Sequence, residues 1–457
     1  MNRPSQRFIR MSGADQMFWN LVNDMDLFSI WGIASLTEPL EDALIEQSLQ
    51  CLLRTVPILN ARPVTTWFSG KWQFLAKENV ADLITRVRTA DAAKTEEQLQ
   101  EIFNTPVPAE DGAMIRLHSV DGPNRHYFVI QVHHVVMDGE GVKRVCEQFA
   151  AIYRALHRNP NLEPQEILDG TDACRSIRQI LRQASPIRFS AAIPAYFRNL
   201  SRKAPALLRH KKRQGCRVLN TVKRESDPSL RPYFTDIRFE KELLLAAKSF
   251  SKQRKTTVHA LLMTSFSLAI LEWNRERGDK RDWLRFFHTA NLRRWWGEPT
   301  GTFCNFSVVL RYEESAEKLR SPSLALAAAQ AQLELEKKHI GLDAFFISAL
   351  LAILPYFLVR RLTLRLKEKI ARFAHRNQAM TNIGIIPEQT GDFGHAKAEG
   401  YSLLAPTVPG GCLLFTVSTY KNVMTVSLGC TEDGLSKEDA RNFLQLWKAK
   451  FLRVIAE

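Results

Sequence analysis

A chain of 457 residues with 45% apolar and 24% charged side chains, 21 Gly and 20 Pro excludes a single small module, a collagen-like repeat and a disordered polyelectrolyte. It is long enough for two domains, or one with an internal pseudo-repeat, and for a large core. Its 63 Lys and Arg against 48 Asp and Glu leave a formal charge of +15, which favours anionic partners such as nucleic acid, acidic lipid headgroups or a phosphate-bearing substrate. Seven cysteines (Cys51, Cys146, Cys174, Cys216, Cys304, Cys412 and Cys430) show no CxxC pair and no metal spacing, so reduced thiols, no metal site and a cytoplasmic protein are expected. The first ten residues lack the apolar core and cleavage site of a secretory signal.

In chain order, the apolar run 28–36 (FSIWGIASL) predicts a strand, and the periodic segment Ala43 to Leu53 predicts a helix. Short strands are predicted at 71–76, 83–88 and 113–119. The run 126–138 (HYFVIQVHHVVMD) reads as a β-rich strand that meets Gly139-Glu140-Gly141 and then a helical pattern to about Leu156. From about 159 to 231 the pattern weakens, proline recurs and basic residues gather, which places the inter-domain connection there. The second half repeats the grammar: strand 233–239, helices 240–253 and 256–276, strands 283–290 and 306–312, helix 315–338, and an apolar helical stretch 342–373. Strand 381–386, a hairpin of 412–419 and 422–429, and helix 436–454 complete it. The expected division is an amino-terminal half 1–175, a basic connection 176–231 and a carboxy-terminal half 232–457, both halves mixed α/β (α+β).

The run His133-His134-Val135-Val136-Met137-Asp138-Gly139 carries the chemistry. On a strand, adjacent side chains point to opposite faces, so only one of the two histidines enters a given site. Gly139 suits a tight turn between strand and helix, and Asp138 is placed to cap the helix or pair with a cation. Imidazole titrates near neutrality, so a neutral histidine here can take a proton from a hydroxyl or amine as that group attacks a carbonyl. The competing reading is a half-buried histidine pair beside a helix cap; the full HHxxxDG spacing on a strand followed by a helix favours chemistry.

With these residues the chain resembles the CoA-dependent acyltransferase superfamily, whose signature is HHxxxDG and which includes condensation domains of nonribosomal peptide synthetases, plant BAHD acyltransferases, polyketide-associated acyltransferases, alcohol acetyltransferases and wax ester synthase/diacylglycerol acyltransferases. Further segments agree in order. Arg10 to Phe18 (RMSGADQMF) is similar to the opening of the wax ester synthase group, and Leu53 to Leu59 (LRTVPIL) to the segment ending the family's first helix. Lys255 to Leu262 (KTTVHALL) resembles the start of the long helix of the second half. Asn291-Leu292-Arg293 with Gly301 to Asn305 (GTFCN) is similar to an NxR...GxFxN block, and Thr381 to Gly384 (TNIG) to a late SNxG strand.

The resemblance implies two chloramphenicol-acetyltransferase-like domains forming a V with an active-site tunnel at their interface. It implies His134 as general base, a structural salt bridge from Asp138 to Arg293, and room beside Gly139 for a pantetheine arm. His133, Asn305 and Asn382 are expected along the substrate channel. It further implies an acyl-CoA or acyl carrier protein thioester as co-substrate, with no permanently bound cofactor, and monomeric action, since the site lies between the chain's own halves. The BAHD signature DFGWG is only partly matched by Gly391 to His395 (GDFGH), and His395 reads as a loop residue. The chain length leads to the expectation of a free-standing acyltransferase.

Two stretches bear on partners. Ile340 to Val359 is largely apolar between Lys337-Lys338 and Arg360-Arg361, but Asp343 and Pro355 interrupt it, so a bilayer span is rejected. A buried helix or lid over an acyl tunnel, and an apolar face dipping into a membrane interface, both remain. Arg198 to Arg217 is rich in Lys and Arg and has no acid, which fits an anionic membrane surface at the inner face, CoA phosphates or a solvated linker. No nucleic-acid-binding module accompanies the charge, so nucleic acid is not an expected partner. The expected function is acyl transfer from CoA or a carrier protein to an alcohol or amine, with a hydrophobic or lipid-like substrate. The alternatives are a condensation-like domain that acts on or only binds a carrier protein in secondary-metabolite synthesis, and an epimerase-like proton transfer.

Overall fold

The computed structural model describes residues 8–22, 28–75, 79–107, 109–162, 194, 216–217, 231–293, 303–337, 351, 353–374, 378–406, 413–432 and 434–457. Of the two stretches singled out above, 340–350 and nearly all of 198–217 lie outside the described residues.

The first lobe opens with β1 (Phe8–Arg10), α1 (Gly13–Val22), β2 (Ser29–Leu36) and α2 (Asp42–Thr55). It continues through β3 (Ala61–Thr65), β4 (Gly70–Phe74), β5 (Ile84–Arg88), α3 (Ala92–Ile102), β6 (Ile115–Asp121), β7 (His126–His133) and α4 (Gly139–Arg158). Strands β1, β4 and β3 form a small sheet, and β2, β7, β6 and β5 lie side by side in the main one. Helix α4 buries Val142, Val145, Cys146, Phe149, Tyr153 and Leu156, the three-and-four spacing that turns one stripe of a helix onto a sheet. Gly32 on β2 admits this helix: a Cβ there would stand 2.5 Å from Cys146 Sγ.

The second half of the chain adds β8 (Cys216–Arg217), β9 (Tyr233–Phe239), α5 (Lys241–Gln253), α6 (Val258–Glu276), β10 (Trp283–Asn291), β11 (Ser307–Ser315), α7 (Pro322–Lys337) and α8 (Tyr356–Ala374), whose Tyr356 packs in the first lobe's core and donates from its hydroxyl to Asn20 Oδ1 of α1 at 2.9 Å. Strands β12 (Gln378–Ile385), β13 (Ala398–Leu404), β14 (Leu413–Tyr420) and β15 (Val423–Cys430) and helix α9 (Lys437–Ala456) follow. The second lobe's sheet runs β11-β10-β12-β14-β15-β9, with β8 beside β10. Helix α6 is buried on nearly every face, and Trp447 of α9 donates from Nε1 to Ser265 Oγ at 2.9 Å, a partner that an indole N–H needs inside a core.

The second half of the chain lends a strand to the first lobe. Between β12 and β14, both in the second sheet, the chain crosses over and β13 pairs antiparallel with β2 at the edge of the first sheet. Spatial division therefore differs from chain division, because residues 398–404 fall in the carboxy-terminal half yet complete the amino-terminal sheet. Backbone amides of Leu403 and Ala405 donate back to Ser418 and Thr416 hydroxyls on β14, which ties the lent strand to both lobes.

Most predicted elements stand within a few residues of their expected bounds. The strand expected over 126–138 ends at His133, and the helix expected from 315 starts at Pro322 because β11 runs on to Ser315. Among the described residues no helix is long and apolar enough to cross a membrane.

Candidate functional site

The loop 134–138 joins β7 to α4. Valines 135 and 136 favour strand by propensity, but Val136 N donates to His133 O at 3.3 Å and Val135 N to His133 Nδ1 at 3.2 Å, so the chain turns. His133 is therefore buried as a turn anchor, paired across from Ser29. His134 is the first residue beyond the strand, held by its N–H to Phe28 O at 2.9 Å. The opposite-face argument is thus replaced by a turn that separates the two rings.

Asp138 caps α4, accepting from Gly141 N at 3.1 Å through Oδ1. Its Oδ2 accepts from Arg293 Nη1 at 2.9 Å, Phe306 N at 2.8 Å and Ser307 Oγ at 2.8 Å. Burial alone would raise this carboxyl, but the Arg293 guanidinium and the donated hydrogen bonds outweigh it and hold the pKa below its usual value. Arg293 also donates to Cys304 O at 2.9 Å and Asn291 Oδ1 at 3.3 Å. With four donors directed at its two oxygens, Asp138 is a hinge pin between α4 and the β10–β11 segment.

His134 is enclosed by aromatic rings, Phe18 of α1 at 5.3 Å and the near-parallel Phe28 at 5.4 Å between centroids. Its Nδ1 is buried without a hydrogen-bond partner among the described residues. Burial lowers its pKa from the ordinary 6.5, opposed in part by backbone oxygens and the Asp138 charge. A neutral imidazole at pH 7 results. Asn305 donates from Nδ2 to the carbonyls of His134 at 3.1 Å and Val135 at 2.9 Å. Both amide protons are spent on the loop, so Asn305 fixes the loop and has none left for an oxyanion.

Two other expected positions are more closed than the sequence implied. At Gly139 a Cβ would meet Ile383 Cδ1 at 2.3 Å, so the room beside this glycine is filled by β12. A bulge between Asn382 and Gly384, with Gly384 at φ +82°, sets Ile383 out of register. Asn382 accepts from Gly384 N at 3.0 Å and turns its amide toward His259 of α6 at 3.5 Å, so it stabilises the bulge.

Phe18, Phe28, Ser307 and Ile383 belong to the site and were not singled out from sequence. One signal was present for Phe18. Ser12 Oγ accepts from Asp15 N and Asp15 Oδ2 accepts from Ser12 N, a capping box that starts α1 one turn before Phe18.

A separate cavity of about 270 Å³ lies between the lobes, lined by Ser35, Tyr127, Phe234, Arg238, Tyr401 and others, none from the His134 loop. Ser35 pairs with Tyr127 and Ser29 with His133, so this cavity is six residues, roughly 20 Å, along the strands from the histidine.

The HHxxxDG loop thus sits where Arg293, Asn305 and Phe306 of the second lobe meet the start of α4. A family model for the condensation domain matches residues 18–180. Among solved structures, trichothecene 15-O-acetyltransferase from Fusarium sporotrichioides is similar over 99% of this chain and 96% of its own, with a TM-score of 0.69 and 14% identity. The epimerization domain from the third module of tyrocidine synthetase B covers 100% and 99%, TM-score 0.66, at 14% identity. Polyketide synthase associated protein 5 from Mycobacterium tuberculosis covers 98% of each chain, TM-score 0.63, at 12% identity. No curated protein sequence matches the chain. The resemblance to the CoA-dependent acyltransferase superfamily therefore holds in the amino-terminal sequence match and in the fold of the whole chain.

Proposed function

We propose that the protein transfers an acyl group from a CoA or carrier-protein thioester to an alcohol or amine, with His134 as general base. The observation that carries this reading is the neutral, ring-enclosed imidazole of His134 on a loop that Asp138, Arg293 and Asn305 immobilise. With Nδ1 turned inward, Nε2 is the nitrogen that meets the acceptor and takes its proton as the acceptor oxygen or nitrogen attacks the thioester carbonyl. The tetrahedral oxyanion draws on amides at the α4 amino terminus, and collapse expels the thiolate, which recovers the proton. Asp138 and Arg293 hold the loop and take no proton.

The test is free-thiol release from a panel of acyl-CoAs with pooled alcohols and amines, by the wild type and His134→Ala. Acceptor-dependent release that falls about 100-fold or more in the variant supports the base. Equal release by both proteins overturns it. The condensation-domain match favours a second donor, an acyl chain on a carrier protein; release only from loaded carrier selects it.

A hydrophobic substrate and an anionic membrane surface belong to the same reading. Trp67 and Phe68 project at the β3–β4 turn, 74% and 73% exposed. Beside them Phe357 N donates to Trp67 O at 3.0 Å, and α8 presents Leu362 and Leu366 with the exposed Arg360, Arg361 and Arg365. An apolar tip flanked by cations suits an interface rich in acidic lipid. Co-sedimentation with phosphatidylserine vesicles, lost in phosphatidylcholine or in Trp67→Ala/Phe68→Ala, is the expected result; no sedimentation with either lipid overturns it.

A further inference from the structure

A cluster unrelated to acyl transfer lies at the far end of α4. Glu41, His157 and His395 bring ligand-capable atoms within 4.8 Å of one another. His157 is eighteen residues along the helix from Gly139, roughly 27 Å from the His134 loop. Sequence spacing gave no hint of it, because the three residues come from the α2 cap, the last turn of α4 and the crossover before β13.

The protonation of His395 is set by its neighbour. Its Nε2 stands 3.1 Å from Pro39 O, and a carbonyl only accepts, so Nε2 carries the proton. The lone pair is then on Nδ1, which is buried without a hydrogen-bond partner among the described residues. A histidine that donates one ring N–H to a backbone carbonyl and presents the other nitrogen bare is arranged as metal-binding histidines are. The His157 ring stacks on His395 at 4.8 Å and 24°. Its Nε2 is 3.6 Å from Glu41 Oε1, beyond a good hydrogen bond, so both atoms stay available to a shared ion.

The backbones that carry these groups are fixed. Tyr153, one turn before His157, accepts from Glu41 N at 2.8 Å through its hydroxyl and packs its ring 6.0 Å from His395. Arg154 donates to Gln389 O at 3.1 Å and also to Asp392 O. Thr37 N donates to Lys397 O at 3.0 Å, and Lys397 N to Thr37 Oγ1 at 3.2 Å. The negative end of the α4 dipole lies beside His157, which favours a cation. Two imidazoles and a carboxylate form a borderline-soft set suited to Zn²⁺, with water as fourth ligand.

We propose that Glu41, His157 and His395 bind a divalent transition-metal ion, zinc by donor chemistry, which staples the crossover segment 386–397 to α2 and α4. The ion would pin the route by which β13 reaches the first sheet, so its effect is on stability.

The test is calorimetric titration of Zn²⁺ into the chelator-treated full-length protein, with His395→Gln, His157→Gln and Glu41→Gln beside the wild type. One equivalent should bind to the wild type, about 100-fold or more weaker in each histidine variant, and Zn²⁺ should raise the wild-type Tm while leaving the variants unmoved. Equal Tm values in chelator identify the variants as folded. If His395→Gln alone fails to fold, His157→Gln and Glu41→Gln decide. Absence of binding by the wild type, or binding unchanged in the variants and so owed to thiols, overturns the proposal.

Discussion

The Asp138 carboxylate and the Arg293 guanidinium meet at 2.9 Å with neither side chain exposed, and the pair joins the cap of α4 to the segment following β10. Removing one partner leaves an uncompensated buried charge, so Arg293→Ala should cost about 3–5 kcal/mol in urea unfolding. Because the Asp138 pKa lies below 3.8 in the folded chain, unfolded chains bind its proton first as pH falls. The pair's stabilisation is complete above 3.8 and is lost below it as pH descends to the folded value. Asp138→Asn should flatten this acid limb in unfolding midpoints measured against pH; an unchanged limb contradicts the pairing.

Burial holds His134 below its ordinary 6.5, which gives the proposed reaction a pH signature. A base with its pKa lowered is mostly neutral at pH 7, so the acid limb of kcat/KM for thiol release should have its midpoint below 6.5. An acid limb centred above 6.5 would contradict a desolvated His134 as the base. Phe28→Ala exposes the ring and should move the limb toward 6.5.

A second histidine provides a stability signature independent of activity. His118 is fully buried with Nε2 2.9 Å from Gln131 Oε1, and desolvation pushes its pKa down to about 4. Unfolded chains take up this proton near 6.5 and folded chains do not, so stability falls as pH drops from 6.5 to about 4. The shift corresponds to about 3 kcal/mol at most. His118→Gln should remove this slope from midpoint-against-pH curves, and retention of the slope would assign it to other groups.

Local signals made the fold legible. The expected strand 233–239 coincides with β9, bounded by Pro232, whereas α4 starts at Gly139, within the expected turn, and runs to Arg158, two residues past the expected end. The sequence does not predict β13, since AEGYSLL carries no alternation that says which sheet it joins; that choice is made by pairing with β2, a non-local event. The predicted end of β7 lies beyond the observed one because Val135-Val136 has strand propensity while Asp138 must reach Arg293, 155 residues away. The histidine, aspartate and arginine of the site are legible through spacing, whereas the contacts of Phe18 with His134 and of Ile383 with Gly139 are set by tertiary packing.

That packing yields the last prediction. Ile383 Cδ1 occupies the place of a Gly139 side chain, at 2.3 Å from where Cβ would stand. Gly139→Ala should therefore force the bulged segment of β12 away from α4, at about 1–3 kcal/mol of overpacking, and displace the adjoining His134 loop with loss of kcat. Ile383→Ala removes the colliding atom, so the double variant should be more stable than the sum of the single changes. A coupling energy in the double-mutant cycle of at least about 0.5 kcal/mol is expected for residues in contact. Strict additivity would mean that the lobes separate at this point in solution, and that the space beside Gly139 is open as the sequence resemblance implied.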